Sequence, residues 1–191
     1  MTSAALRLET IEKLASAVYP SFAMLAGMQL DLFTPLKDGP MTAAQLAQAL
    51  GVRADKLQPL LYALVAAGLL TVERERFANT PEAGHFLVRG KPAYMGGRHE
   101  SFSRRWTGVL KTAETIRTGL PQARIDFSAR DRSMAGDHIT LMASGRDLAI
   151  RYDFSSYHRL VDVAGGSGGL SLAVTEACPH LHATVVDLPT V

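Results

Sequence analysis

The chain has 191 residues, enough for one large domain or two small ones, and its 47% hydrophobic and 20% charged residues, with 16 Gly and 9 Pro, exclude a disordered or fibrous protein. A net charge of +2 is too small to point to nucleic acid as the partner, and a single cysteine, Cys178, excludes an intramolecular disulfide framework and an all-cysteine zinc site. No apolar run approaches the roughly 18 residues of a membrane span, and Met1 to Thr10 lacks the basic, apolar and small-residue order of a signal peptide, so a soluble, cytoplasmic protein with no membrane partner and no metal is expected.

Apolar residues at helical spacing (Leu6, Ile11, Leu14, Val18, Phe22, Leu25, Met28) predict two N-terminal helices, with Pro20 breaking the run so that one ends near Val18 and the next starts at Ser21. So much apolar surface on an end segment fits an interface with another subunit, and it fits equally a cap on the chain's own domain. Between residues 36 and 90, Thr42 with Gln45 forms a capping box that opens a helix, and Gly51 closes it. A second helix runs from Ala54 to Ala67, with Leu57, Leu60, Leu61, Leu64 and Val65 on its buried side. Leu69–Glu73 and Arg76–Thr80 read as two short strands around a turn at Arg74-Glu75, and Thr80-Pro81 starts a new helix. Helix, helix and hairpin predict a winged helix. The second helix offers only Arg53, Lys56 and Gln58 near its start, and Arg74 and Arg76 alternate with Glu73 and Glu75, which cancels most of the field that a phosphate would feel. A structural or dimerisation role fits better than DNA binding.

From Gly90 to Tyr152 the chain is more polar, and helices are expected over Ser101–Arg117 and Ser133–Ala143, separated by Gly119-Leu120-Pro121. Trp106 lies on the apolar side of the first, near Val109 and Leu110, as a core residue or as the wall of a substrate pocket. Met142 carries the same two readings.

Leu160–Ala164 is a short apolar run of the kind used by a strand buried on both faces. Gly165-Gly166-Ser167-Gly168-Gly169 follows at once, then a helical pattern ending near Cys178-Pro179, then a second buried strand, Ala183–Val186, that ends in Asp187. Strand, glycine loop, helix, strand and terminal acid make the opening half of a nucleotide-binding α/β fold. Glycines let the backbone approach a ligand that a Cβ would exclude. The following helix offers unpaired N–H groups to the ligand's negative end. A carboxylate such as Asp187, 19 residues after Gly168, can accept two hydrogen bonds from a ribose diol. The dinucleotide fingerprint fails at its last position, since Gly166-Ser167-Gly168-Gly169-Leu170-Ser171 ends in Ser, and no Gly-Lys-Ser/Thr makes a P-loop.

Asp162, with two residues between it and a close glycine cluster, resembles the S-adenosylmethionine loop of class I methyltransferases. From Met28 to Val191 the chain is similar, in order, to the first half of small-molecule O-methyltransferases of the plant caffeate type and the bacterial polyketide-tailoring type. Gly68-Leu69-Leu70, Asn79-Thr80-Pro81-Glu82, Tyr152-Asp153-Phe154-Ser155, Val161–Gly166 and Asp187–Val191 carry the likeness. The resemblance implies a mainly α N-terminal winged-helix dimerisation domain over 1–100, which forms a homodimer through its helices and does not touch DNA. It implies linking helices over 101–155 that help build a substrate pocket, with Trp106 and Met142 as candidates to touch an aromatic acceptor. Over 156–191 it implies the first β-α-β unit of a Rossmann-like S-adenosylmethionine domain, incomplete in this chain. Asp162, Ala164, Gly165, Gly166, Gly168, Asp187 and Leu188 are the expected cofactor residues. Ala164 stands where the family usually has Gly, and its methyl is expected to be tolerated unless the position needs a positive φ.

The family's catalytic His and its carboxylate partners match none of His85, His99, His138, His158, His180 and His182, so no catalytic base is assigned, and each of the six reads as a surface or hydrogen-bonded histidine. A C-terminal half or a complementing chain is expected to complete the sheet and to be required for activity. The expected reaction is methyl transfer to a hydroxyl of an aromatic or polyketide-type molecule. Non-methylating chemistry on the same fold (hydroxylation, decarboxylation or pericyclic) and a non-catalytic dimerisation subunit of a split enzyme are the alternatives.

Overall fold

Acidic residues in its first turn and Lys13 in its last suit helix α1 (Glu9–Ser16) to its own macrodipole, yet none of its residues is buried in this chain. Helix α2 (Val18–Gln29) follows after Ala17 alone. The break therefore falls before Pro20, not at it: Pro20 is the third residue of α2, where a backbone N–H has no intrahelical acceptor to lose. The computed structural model describes residues 8–122 and 137–189; Leu6, Thr190, Val191 and the expected helix start at Ser133 lie outside them. The chain divides into two compact units, Met1–Gly96 and Gly97–Val191.

In the first unit, α2 turns its Ala23, Leu25 and Met28 inward onto a core that includes Leu32, Phe33, Leu46, Leu61, Leu64 and Phe77. Helix α3 (Ala43–Leu50) opens on the capping box: the Gln45 amide donates to Thr42 Oγ1 at 3.2 Å and the Thr42 amide to Gln45 Oε1 at 2.9 Å. Gly51, left-handed at φ 66°, ends it. Helix α4 (Ala54–Ala66) buries Leu57, Leu61 and Leu64, and leads into the antiparallel hairpin of β2 (Leu70–Glu73) and β3 (Arg76–Asn79). Arg74 and Glu75 both take positive φ, 47° and 62°, so the two-residue turn matches strand twist without a glycine. A third strand, β1 (Met41–Thr42), adds to β3 and gives the order β1-β3-β2. Two residues carry no alternation, which is why the hairpin alone is legible in the sequence. Helix α5 (Pro81–Phe86) starts under the Thr80 hydroxyl, which accepts from the Ala83 amide at 3.4 Å.

In the second unit, the single helix expected over Ser101–Arg117 is two, α6 (His99–Val109) and α7 (Thr112–Thr118). The Thr112 hydroxyl donates to the Val109 carbonyl at 2.6 Å and so takes an acceptor at the end of α6. No residue of α6 is buried, and Val109 and Leu110 are exposed, so Trp106 is not the core residue that its spacing allows; it stacks on Phe102 with ring centroids 5.9 Å apart. Helix α8 (His138–Arg151) runs eight residues past the expected end at Ala143. Gly145, two residues past that expected end, is the contact point with the next helix: a Cβ there would lie 2.4 Å from the Leu170 carbonyl oxygen and 2.8 Å from Ala173 Cβ.

Strand β4 (Arg159–Val163), helix α9 (Gly169–Ala177) and β5 (His182–Val186) form one β-α-β unit, with the strands parallel and Asp162 paired with Val185. Phe154, Val174 and Leu181 form its core, with Leu148, Leu160, Leu170 and Cys178 packed on them. Parallel partners share a face, so Leu160 and Asp162 look toward the helices while Val161, Val163 and Val186 stand exposed on the other side at 62, 75 and 49%. Among the described residues no helix is long and apolar enough to cross a membrane.

Candidate functional site

The segment joining β4 to α9 is shaped by backbone conformation first. Ala164, Gly166 and Gly168 all adopt left-handed φ values, 60°, 57° and 71°. The condition under which Ala164 was expected to be tolerated therefore fails: an L-residue occupies a left-handed position, at a cost of about 1–2 kcal/mol relative to glycine's freedom there. The Ala164 amide still donates to the Val186 carbonyl at 2.8 Å, which extends the parallel ladder by one bond. Gly165 is buried because its neighbours leave no room: a Cβ would lie 2.7 Å from both Asp162 Cγ and Val185 Cγ1. At Gly166, by contrast, a Cβ would meet only Leu141 Cδ1, at 4.0 Å, so this side of the bend is an open cradle.

The two acids take different places. Asp162 sits beneath the loop, where Oδ2 accepts from the Ser171 hydroxyl at 2.7 Å; Ser171, in the first turn of α9, is 2% exposed. This bond ties β4 to α9 under the bend. Asp187 is exposed at the end of β5, its Oδ2 accepting from the Gly166 amide at 2.6 Å and its Oδ1 from the Leu188 amide at 2.7 Å. Each oxygen keeps a further lone pair for a ligand hydroxyl. Asp162, Ala164, Gly165, Gly166, Gly168, Asp187 and Leu188 thus converge on the carboxyl ends of β4 and β5, where ligands of open α/β sheets bind.

A groove of about 560 Å³ runs beside this bend. Gly166, Ser167 and Gly168 line one end, but Leu172, Leu181 and Val185 carry it along α9 and β5, and neither Asp187 nor Leu188 reaches it. Its extent follows the uncovered flank of the two elements, so the carboxyl ends of the strands, with their polar groups, are the better ligand position.

Two contributors are absent from the expected set. Ser171 could have been found from its place in the first helical turn after Asp162. His138, the first residue of α8, places Nδ1 2.9 Å from Ser167 Oγ, a contact across 29 residues that no local pattern signals. Trp106 and Met142 are both half-buried, on α6 and α8.

The O-methyltransferase dimerisation domain model matches residues 12–89, and the O-methyltransferase domain model matches residues 124–191. The chain is 33% identical over 188 residues to the 3-hydroxy-5-methyl-1-naphthoate 3-O-methyltransferase of Streptomyces sahachiroi, covering 93% of this chain and 54% of that protein. It is 34% identical over 190 residues to the tetracenomycin polyketide synthesis 8-O-methyltransferase TcmO of Streptomyces glaucescens, covering 94% and 56%. Among solved structures, human N-acetylserotonin methyltransferase in complex with S-adenosylmethionine superposes with a TM-score of 0.84 at 21% identity, over 100% of this chain and 62% of that one. The chain spans about half the length of the curated relatives it matches. With both domains matched in order, and with a methyltransferase-like fold in the second unit, this chain belongs to the class I O-methyltransferase family.

Proposed function

We propose that this chain binds S-adenosylmethionine at the β4–α9 bend and takes part in methyl transfer to a hydroxyl of an aromatic, polyketide-type small molecule in secondary metabolism. The observation that carries the reading is the pairing of the left-handed bend with Asp187: the carboxylate rests on the Gly166 amide, beside a cradle that glycine leaves open. The residues fit the group. Asp187, with Leu188 after it, accepts the ribose hydroxyls; Gly166 and Gly168 let the methionyl end lie against backbone; Asp162 and Gly165 hold the floor. Bound there, the cofactor supplies an electrophilic sulfonium methyl. The chain's own contribution is to fix that ligand in place, since alignment of the reacting atoms is most of the work in such a displacement.

The wider layout is part of the same reading. Residues 1–100 are read as a winged-helix dimerisation domain; exposed Leu8, Ile11, Leu14 and Tyr19 support a homodimer through the N-terminal helices. Residues 101–155 contribute a wall of the acceptor pocket, with Trp106 and Met142 facing the aromatic substrate. Residues 156–191 open the cofactor domain, and a C-terminal half or complementing chain covers exposed Val161, Val163 and Val186 and supplies the catalytic base.

Calorimetry with S-adenosylhomocysteine, followed by methyl-labelled cofactor and a hydroxynaphthoate acceptor in the complete assembly, tests this. Label in the acceptor is the expected result. Cofactor uptake with a changed but unlabelled acceptor transfers the site to non-methylating chemistry, and no uptake leaves only the dimerisation subunit.

A further inference from the structure

We propose that His138 is a positioning residue of the cofactor bend, a strut that holds Ser167 in place from the neighbouring helix. The inference rests on the cofactor reading above and adds to it a residue outside the glycine motif.

Ser167 lies between two left-handed glycines, Gly166 and Gly168, which are the residues with the widest backbone freedom. Its hydroxyl is the one side-chain handle in Gly165–Gly169, and that handle meets His138 Nδ1 at 2.9 Å. A strut must itself be fixed, and His138 is fixed on two sides. The backbone of α8 abuts α9 so closely that a Cβ on Gly169 would lie 2.8 Å from the His138 carbonyl oxygen and 3.0 Å from Leu141 Cβ. On the other side Arg98, only 14% exposed in its side chain, lies 2.9 Å from Asp137 as an ion pair without hydrogen-bond alignment, and donates to Thr140 Oγ1 at 3.1 Å. Asp137, just before α8, and Thr140, in its first turn, flank His138, so the imidazole projects from an anchored helix end.

The consequence is preorganisation. A bend that is already ordered loses less conformational freedom when ligand arrives, and that saving appears as affinity.

The test has a ligand-free arm and a ligand arm, both in the complete assembly. Without ligand, His138→Phe and Ser167→Ala accelerate amide hydrogen exchange at Gly166 and Gly168, while His138→Asn, whose amide lies where Nδ1 was, keeps the wild-type rate. With S-adenosylhomocysteine in the calorimeter, His138→Phe and Ser167→Ala each weaken binding about threefold to tenfold, the scale of one hydrogen bond, and the double variant is no weaker than either single. His138→Asn binds like wild type. Ser167→Ala, at an exposed position, keeps the test available if His138→Phe folds poorly. Unchanged exchange, or single effects that multiply in the double variant, overturns the strut while leaving the cofactor reading intact. A wild-type protein that takes up no S-adenosylhomocysteine overturns both.

Discussion

Gly166 and Asp187 are bonded across 21 residues, the amide of one donating to Oδ2 of the other at 2.6 Å. The bond draws the carboxyl end of β5 to the bend after β4, so the acid is held by the loop that it is proposed to serve. Asp187→Ala therefore removes a ligand contact and a loop contact together. Binding of S-adenosylhomocysteine is expected to weaken by roughly 1.5–3 kcal/mol, the range for a hydrogen bond to a charged group. Calorimetry that finds unchanged affinity removes Asp187 from the site.

Ala164→Gly is expected to stabilise the protein. A left-handed alanine costs about 1–2 kcal/mol, and glycine's extra freedom in the unfolded chain returns part of it, leaving a gain of about 0.5–1 kcal/mol. Urea titration reads this as a higher midpoint at unchanged slope. A lower midpoint would mean that the Ala164 methyl makes contacts that outweigh the strain.

Gly145→Ala is expected to be destabilising by about 1–3 kcal/mol, the scale of overpacking in a tight interior. The added methyl would fall 2.4 Å from the Leu170 carbonyl oxygen, a backbone atom that no rotamer change can move. The measurement is again the urea midpoint, and a neutral result would show that α8 and α9 slide apart freely.

Thr42→Ala removes the hydroxyl that accepts from the Gln45 amide at the start of α3, and a loss of about 1 kcal/mol is expected. Gln45→Ala removes the other bond, in which its Oε1 accepts from the Thr42 amide, so the pair of variants should show coupling in a double-mutant cycle.

The Ser155 amide, donating to Asp153 Oδ1 at 2.9 Å, holds that carboxyl below its ordinary range. A lowered folded value means that the contribution is present above the unfolded pKa and is lost as pH falls through the folded one. Carboxyl NMR should follow Asp153 titrating at lower pH than a free aspartate, and Ser155→Pro, which deletes the donor, should return it to the ordinary range.

Signals that act within a few residues were readable. The capping box at Thr42 and Gln45, the Gly51 stop, the Thr80-Pro81 start and the strand–glycine–helix–strand order are all local, and each stands in the structure where its spacing places it. Misreadings came where tertiary contact decides. The helix expected to end at Ala143 runs on through Gly145, which packs against α9, and Trp106 has the spacing of a core residue on a helix with no buried residue. The positive φ of Ala164 contradicts its residue type, so composition could state the condition but not the outcome. The contact of His138 with Ser167 has no local signal, because the two residues lie 29 positions apart.

The length of α9 admits little change. Ser171 near its start must meet Asp162, and Val174 less than a turn later must reach the core with Phe154 and Leu181. One residue inserted between them would rotate everything beyond it by about 100°, so either the hydroxyl or the valine would swing out of register. An indel scan across Gly169–Ala177 should thus find its intolerant stretch up to Val174, with the carboxyl end of the helix more forgiving.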